Sequence, residues 1–265
     1  MINKNQNIIR YEDPYPHLEV KNFLDESFLD LLLKDYPSEE DFSSVSSLKS
    51  RATYNIYYTD EVFKSLIKKS KAWKSFYQYI NSQKFLDYFL LHFKDTLNGL
   101  GYMHDPEKIY FEEYFEGRDQ INHGSKPLKI KDFLLDPFTK NNQKVFTRLD
   151  LSLGGVNYNK PPHADNENRL GAAVFYLNSA DETGSIGGDF EIWDVKEEFR
   201  SAKLSRTPKR SKLSLQKSFP FSRNTALFFP CHSRSFHSVK KVIKQKEKRK
   251  FLYLSLSFKS HNIWR

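Results

Sequence analysis

The sequence predicts an α+β protein, an antiparallel jelly roll with helices packed around it. Three observations predict it. From Val145 onward, short apolar runs bounded by turn residues follow one another with no helical period between them. Between Asp60 and about Asn98, apolar residues recur at three- and four-residue steps. Hydrophobic residues make up 38% and aromatics 15% of the 265 residues, enough to fill a core and to exclude a disordered chain. No Gly/Ser linker and no internal repeat divides the chain. We therefore expect residues 1–144 to form a helical and mixed segment packed on a barrel of residues 145–265, as one integrated unit.

The elements follow in order. Residues 15–23 alternate and begin as a strand. Asp25 is placed as the N-cap of a helix through about Tyr36, with Leu29, Leu32 and Leu33 on one face and Pro37 as the stop. Residues 42–59 are serine-rich and irregular. The helical stretch from Asp60 carries Phe63, Leu66, Ile67, Trp73, Phe76, Tyr77, Phe85, Tyr88, Phe89 and Phe93 as a stripe that must be buried. Residues 104–144 mix strand-like and loop-like pieces, and His104 and His123 fall there as ordinary polar residues.

The barrel segment opens with Arg148–Leu153, which alternates with Leu149, Leu151 and Leu153 directed inward, and turns at Gly154-Gly155. Pro161-Pro162 fixes an extended approach to His163. Residues 170–177 and 189–194 are strands, and residues 195–217 read as a basic insertion. Residues 225–229, 235–242 and 251–258 complete the set. Phe175, Tyr176 and Trp193 are expected in the barrel core.

Cys231 is the single cysteine, which excludes an internal disulfide framework and a multi-cysteine zinc site, and it is expected to be buried. No apolar run reaches the length of a membrane helix, and the first ten residues lack the apolar centre of a signal peptide. A reducing, cytoplasmic setting is the expectation; oligomeric state is not legible. The net charge of +9 is local. Residues 196–217 carry eight Lys/Arg against two Glu and residues 234–250 eight against one, so the remainder is 9 − 13 = −4. Neither stretch interleaves aromatic residues, so solvated segments are favoured over a nucleic-acid surface.

The chemistry is concentrated in His163-Ala164-Asp165. Residues two apart on an extended strand share a face, so His163 and Asp165 can reach one metal ion. A second histidine brought in by folding, His237 or His232, completes two imidazoles and a carboxylate. That set leaves coordination positions open and marks non-haem Fe(II) oxygenases. Arg249 lies twelve residues after His237 at the head of a strand, where it could hold the far carboxylate of an acidic cosubstrate. Lys248 and Lys250 face the opposite side of that strand.

Residues 145–258 resemble the catalytic barrel of the 2-oxoglutarate/Fe(II)-dependent dioxygenases, and most the prolyl 4-hydroxylase-like branch. The resemblance rests on His163-Ala-Asp165, Arg169–Asn178 with its Tyr-Leu-Asn ending, Gly187-Gly188-Asp189, Asn224–Pro230, His237–Val242 and Arg249. It implies a double-stranded β-helix, also called cupin-like. It implies that His163, Asp165 and His237 ligate Fe(II), and that Arg249 pairs with 2-oxoglutarate. His237 is preferred to His232 because Val239 follows it closely and Arg249 fits its spacing. Where the branch has a tyrosine three residues before the metal histidine this chain has Lys160, leaving Tyr158 as the nearest stand-in for a cosubstrate contact. The implied reaction consumes 2-oxoglutarate and O2, releases succinate and carbon dioxide, and hydroxylates a substrate; ascorbate is the implied reductant. The branch points to a prolyl or other amino-acid side chain, within a wider class of small-molecule or peptide substrates. The rival reading is a non-catalytic jelly roll that binds a sugar or polyanion, which would give no visible charge-transfer band with Fe(II) and 2-oxoglutarate.

Overall fold

The computed structural model describes residues 1–45, 52–114, 143–259 and 262–265. Its strands are β1 (Asn7–Tyr11), β2 (His17–Lys21), β3 (Thr53–Tyr57), β4 (Tyr110–Phe111), β5 (Lys144–Gly154), β6 (Lys160–His163), β7 (Arg169–Tyr176), β8 (Phe190–Val195), β9 (Leu213–Phe219), β10 (Thr225–Pro230), β11 (His237–Val239) and β12 (Arg249–Ser257). Its helices are α1 (Glu26–Lys34), α2 (Glu39–Val45), α3 (Glu61–Lys69), α4 (Lys71–Ile80), α5 (Gln83–Leu97) and the single turn α6 (Ala180–Thr183). The fold is the α+β double-stranded β-helix expected. A major sheet runs β1-β2-β10-β7-β12-β5-β3, with β4 beside β5, and a minor sheet runs β6-β11-β8-β9. The principal pairings are antiparallel; among the described residues only β4 runs parallel to its neighbour.

The strands' two faces do different work. On β12, Leu252, Leu254 and Leu256 point to a core shared with Trp73, Phe76, Phe89 and Phe93 of the helices. The alternate residue Phe251 joins a second core between the sheets, with Tyr158, Tyr176, Phe190, Phe221 and Phe229. The period of two explains both. It also corrects the expected facing of β5. Leu149, Leu151 and Leu153 belong to the helix-side core, not to the barrel interior. Arg148, Asp150 and Ser152 sit across from Ser255, Tyr253 and Phe251 and so share the interior face. The apolar face of β5 goes where the larger apolar surface is, under the helices, and the barrel interior keeps the polar groups. Phe175 likewise faces the helices, against Phe23 and Phe76, whereas Tyr176 faces inward. Trp193 lies in a third cluster on the outer side of the minor sheet.

The helical stretch is three helices, broken at Ser70, which caps α4 by accepting from the Trp73 amide, and at Asn81. Asp25 occupies the N-cap of α1, where its carboxylate pairs with the terminal amine of Met1 at 2.5 Å rather than with a helix amide. Three strands fall where none was expected. β1 pairs β2, β3 pairs β5, and β9 emerges from the end of the basic insertion to pair β8. His123 lies outside the described residues. Among the described residues, no helix is long and apolar enough to cross a membrane.

Candidate metal centre and cosubstrate pocket

Two neighbouring strands carry the site. β6 and β11 pair antiparallel with His163 directly across from His237. β6 is an edge strand, so Pro161 and Pro162 cost it no ladder hydrogen bond on its free side. Ala164 drops into the outer cluster under Trp193 and Phe236, which turns Asp165 back toward the ring of His163. A tight turn follows, fixed by buried Asn168, whose side chain donates to the Phe258 carbonyl at 2.8 Å. His237 is held from behind by a buried chain: Trp193 Nε1 donates to Ser238 Oγ at 2.8 Å, and Ser238 donates to Glu191 at 2.6 Å. Phe190 stacks on its ring, with centroids 5.3 Å apart.

His163, Asp165 and His237 are buried, and their ligand atoms lie within 4.8 Å of one another. Each imidazole nitrogen Nε2 is 3.9 Å from an oxygen of Asp165. The two Nδ1 atoms are turned outward to backbone carbonyls, that of His163 to Pro161 at 2.9 Å and that of His237 to Ser235 at 3.0 Å. A carbonyl only accepts, so each Nδ1 carries the hydrogen and each Nε2 presents a lone pair. Burial holds both rings neutral, lowering His237 to about 4 and His163 well below its ordinary value, the latter helped by Lys160. Nε2 of His163 has no hydrogen-bond partner in a buried position, which is costly unless something else meets the lone pair. Two neutral imidazoles and a carboxylate aimed at one point fit a divalent first-row metal such as Fe(II), with positions left for other ligands.

Asp165 is charged although buried. Burial opposes its ionisation, and the Arg169 guanidinium, ahead of His237 and Lys160, outweighs it, holding the carboxyl well below the usual range. Arg169 donates to one oxygen at 2.8 Å and the Tyr253 hydroxyl to the other at 2.7 Å. Arg169 also donates to Tyr253 Oη at 2.7 Å, closing a triangle. Cys231 is buried as expected, its sulfur 3.7 Å from Asp165, and burial raises its pKa well above the ordinary thiol value. His232, the alternative ligand, stands outside the group of three; its ring packs edge-on to Tyr15 with centroids 5.6 Å apart.

Arg249 lies on the interior face of β12, 1% exposed. Its guanidinium donates to the Gly188 carbonyl and lies 4.6–5.6 Å from the ring centroids of Phe251, Tyr158, Phe221 and Tyr176. Among the described residues no carboxylate faces it. Gly188 has φ +89°, and a Cβ there would come within 3.0 Å of the guanidinium, so glycine keeps this space open. Tyr176 Oη is buried beside it without a partner, and burial raises the phenol's pKa, keeping it a hydrogen donor. A buried cation and an idle phenol among aromatic walls suit one end of a dicarboxylate. Lys250 faces the other way, over Tyr36 on the helix side, and Lys248 pairs with Glu39. Sequence reasoning missed Arg169 and Tyr253, and it placed Tyr176 in the barrel core without a role. The signal was faint: Arg169 lies four residues after Asp165, Tyr253 four after Arg249, and Tyr176 across from Phe251, placements visible only once the register is known.

A jelly roll whose interior presents two histidines and a carboxylate at one point, and a buried arginine deeper in, has the form of a non-haem iron oxygenase. Residues 151–254 match the model of the 2OG-Fe(II) oxygenase superfamily. That match makes the protein an Fe(II)/2-oxoglutarate-dependent dioxygenase, and Fe(II), 2-oxoglutarate and O2 are the reactants of the matched family. Similar solved structures include a prolyl-4-hydroxylase of Pseudomonas putida, 12% identical over 91% of each chain with TM-score 0.46. Another is a prolyl 4-hydroxylase of Phytophthora capsici, 13% identical over 91% of this chain and 58% of that one, TM-score 0.45. A third is the α-ketoglutarate-dependent carbocyclase SnoK of nogalamycin biosynthesis, 11% identical over 91% and 79%, TM-score 0.45. No curated protein matches the chain.

Proposed function

We propose that His163, Asp165 and His237 hold the iron, that Arg249 with Tyr176 and Tyr158 receives the distal carboxylate of 2-oxoglutarate, and that the enzyme hydroxylates an amino-acid side chain, prolyl foremost. The observation that carries this is the grouping of two inward Nε2 lone pairs and one ionised carboxylate within 4.8 Å. When bound there, iron supplies the oxidative decarboxylation of 2-oxoglutarate by O2, giving succinate and carbon dioxide, coupled to insertion of the second oxygen atom into a C–H bond.

The chain's own groups do the rest. Pro161 and Ser235 carbonyls fix the tautomers of the two histidines. Arg169 and Tyr253 keep Asp165 ionised and oriented, leaving its remaining lone pairs for metal. The aromatic walls around Arg249 exclude water, which strengthens the guanidinium's attraction for a carboxylate. We further propose ascorbate as the reductant, a reducing compartment as the setting, and one integrated unit for the chain, since β2 and β3 of the first half are built into the barrel's own sheet.

The test is succinate release from 2-oxoglutarate against a panel of proline-containing peptides, free amino acids and sugars. We expect stimulation by a peptide or amino acid. Asp165→Ala and His163→Ala should abolish release and remove the site's Mn(II) binding. An Asp165→Ala variant with full turnover would sink the ligand assignment.

A further inference from the structure

We propose that the loop between β8 and β9, residues 196–212, is the docking surface for an acidic polypeptide substrate. This rests on the dioxygenase reading and names the kind of substrate it takes. The loop carries Lys196, Arg200, Lys203, Arg206, Lys209, Arg210 and Lys212 against Glu197 and Glu198.

The segment is not a loose excursion. The Ala164 amide, between the proposed ligands, donates to the Arg206 carbonyl at 2.7 Å. Arg206 Nε donates back to the Asp165 carbonyl at 3.1 Å. Beneath it, Ala164, Trp193, Val195, Leu213 and Phe236 form a closed apolar cluster against which Phe199 and Leu204 pack. From the His237 side, Arg234 donates to the Arg200 carbonyl at 2.5 Å. The loop is therefore bolted to both segments that present the metal-binding side chains, and whatever it binds is held beside them.

Its charge is unspent. Lys203, Arg206, Lys209, Arg210 and Arg234 are exposed, and among the described residues no carboxylate pairs with any of them; only Arg200 meets its neighbours Asp194 and Glu197. Several cations elsewhere are matched, as Lys240 is with Asp189, Lys94 with Glu107 and Arg223 with Glu26 and Asp30. A fixed row of like charges repels itself and gains by meeting an anionic partner.

A polypeptide fits better than a nucleic acid. Single strands bind through bases stacked on open aromatic faces, and the aromatics in and beside the loop are already covered. Arg210 lies 4.6 Å over Trp193 and Lys212 5.4 Å over Phe199. The loop runs directly into β9, which among the described residues pairs on one side only, with β8. Leu215 stands 46% exposed on it. A free strand edge offers an extended peptide main-chain hydrogen bonds that a nucleic acid cannot use.

The test is fluorescence anisotropy on the full chain with labelled poly-L-glutamate, beside a single-stranded oligodeoxynucleotide of matched length. We expect the peptide to bind with an affinity that falls as salt rises. K203E/K209E should weaken it about tenfold or more, with circular dichroism and thermal midpoint unchanged. The same charge change at K241E/K244E, exposed lysines outside the loop, should alter it less than about twofold. Equal loss in both double variants would reduce the effect to net charge and overturn the proposal. So would unchanged binding by K203E/K209E, or tighter binding of the oligonucleotide that the same variant destroys. Peptide binding that depends on the loop in a protein releasing no succinate from 2-oxoglutarate would leave the surface standing and defeat the dioxygenase reading alone.

Discussion

As a proposed metal ligand Asp165 must be ionised, buried and correctly turned all at once, and Arg169 and Tyr253 are what reconcile those demands. Each gives one hydrogen bond to a different carboxylate oxygen, and they are bonded to each other. Outer partners of a metal ligand typically matter by about 10- to 100-fold in metal affinity. We expect Tyr253→Phe to weaken Mn(II) binding about tenfold and Arg169→Gln to weaken it more, since the latter also strands a buried negative charge. The double variant should lose less than the sum, because each removes a partner of the other. Mn(II) titration followed by electron paramagnetic resonance reads this without turnover; unchanged affinity in both single variants would show that the triangle is only scaffolding. Arg249 is the residue proposed for 2-oxoglutarate. Arg249→Lys removes the planar fork but keeps the charge, so the 2-oxoglutarate KM should rise about tenfold with Mn(II) affinity unmoved.

At the scale of elements, β7 shows how the site is held in place. Gly171 faces α5, and a Cβ there would collide with the Phe89 ring, whose closest ring atoms occupy that space. Ala172, Val174 and Tyr176 face the barrel interior. Glycine on one side thus lets the helical layer close on the strand that carries Tyr176 on the other. Gly171→Val should cost about 1–3 kcal/mol by overpacking, seen as a lower urea midpoint. A stability equal to wild type would mean that α5 is free to move away. The same two-faced strand explains what the sequence made legible. His163, Asp165 and Arg249 could be picked out because two-residue spacing and the order of motifs survive in one dimension. The long apolar strands β7, β10 and β12 and the aromatic helices announced themselves by periodicity. β3 and β9 did not, because Thr53–Tyr57 and Leu213–Phe219 are edge strands rich in polar residues, and the partner of β3 lies almost a hundred residues on, while that of β9 lies across the basic loop. Which face of β5 is interior also could not be read locally. Both arrangements satisfy alternation, and only the helical layer decides between them.

For the molecule as a whole, buried neutral histidines set its response to acid. His232 is the clearest case outside the proposed ligands. Burial, then the nearby Arg234 charge, lowers it to about 4, against an ordinary value near 6.5. Tyr15 and Trp264 pack around the ring and offer it no carboxylate. The folded state therefore binds fewer protons than the unfolded chain between those two values. Stability rises with pH wherever the unfolded state holds more protons. The contribution is thus complete above about pH 6.5 and drains away as pH falls toward about 4. A shift of that size corresponds to about 3 kcal/mol across the whole window, and roughly 2 kcal/mol between pH 7 and 5. His17 is lowered in the same direction, again chiefly by burial, and steepens the same slope. Urea unfolding of the metal-free protein at the two pH values should show the loss directly. His232→Gln, which cannot titrate, should remove His232's share and leave a shallower dependence, even if the variant begins less stable. An unaltered slope would mean that this ring is protonated in the folded protein and that its pocket admits water or an anion.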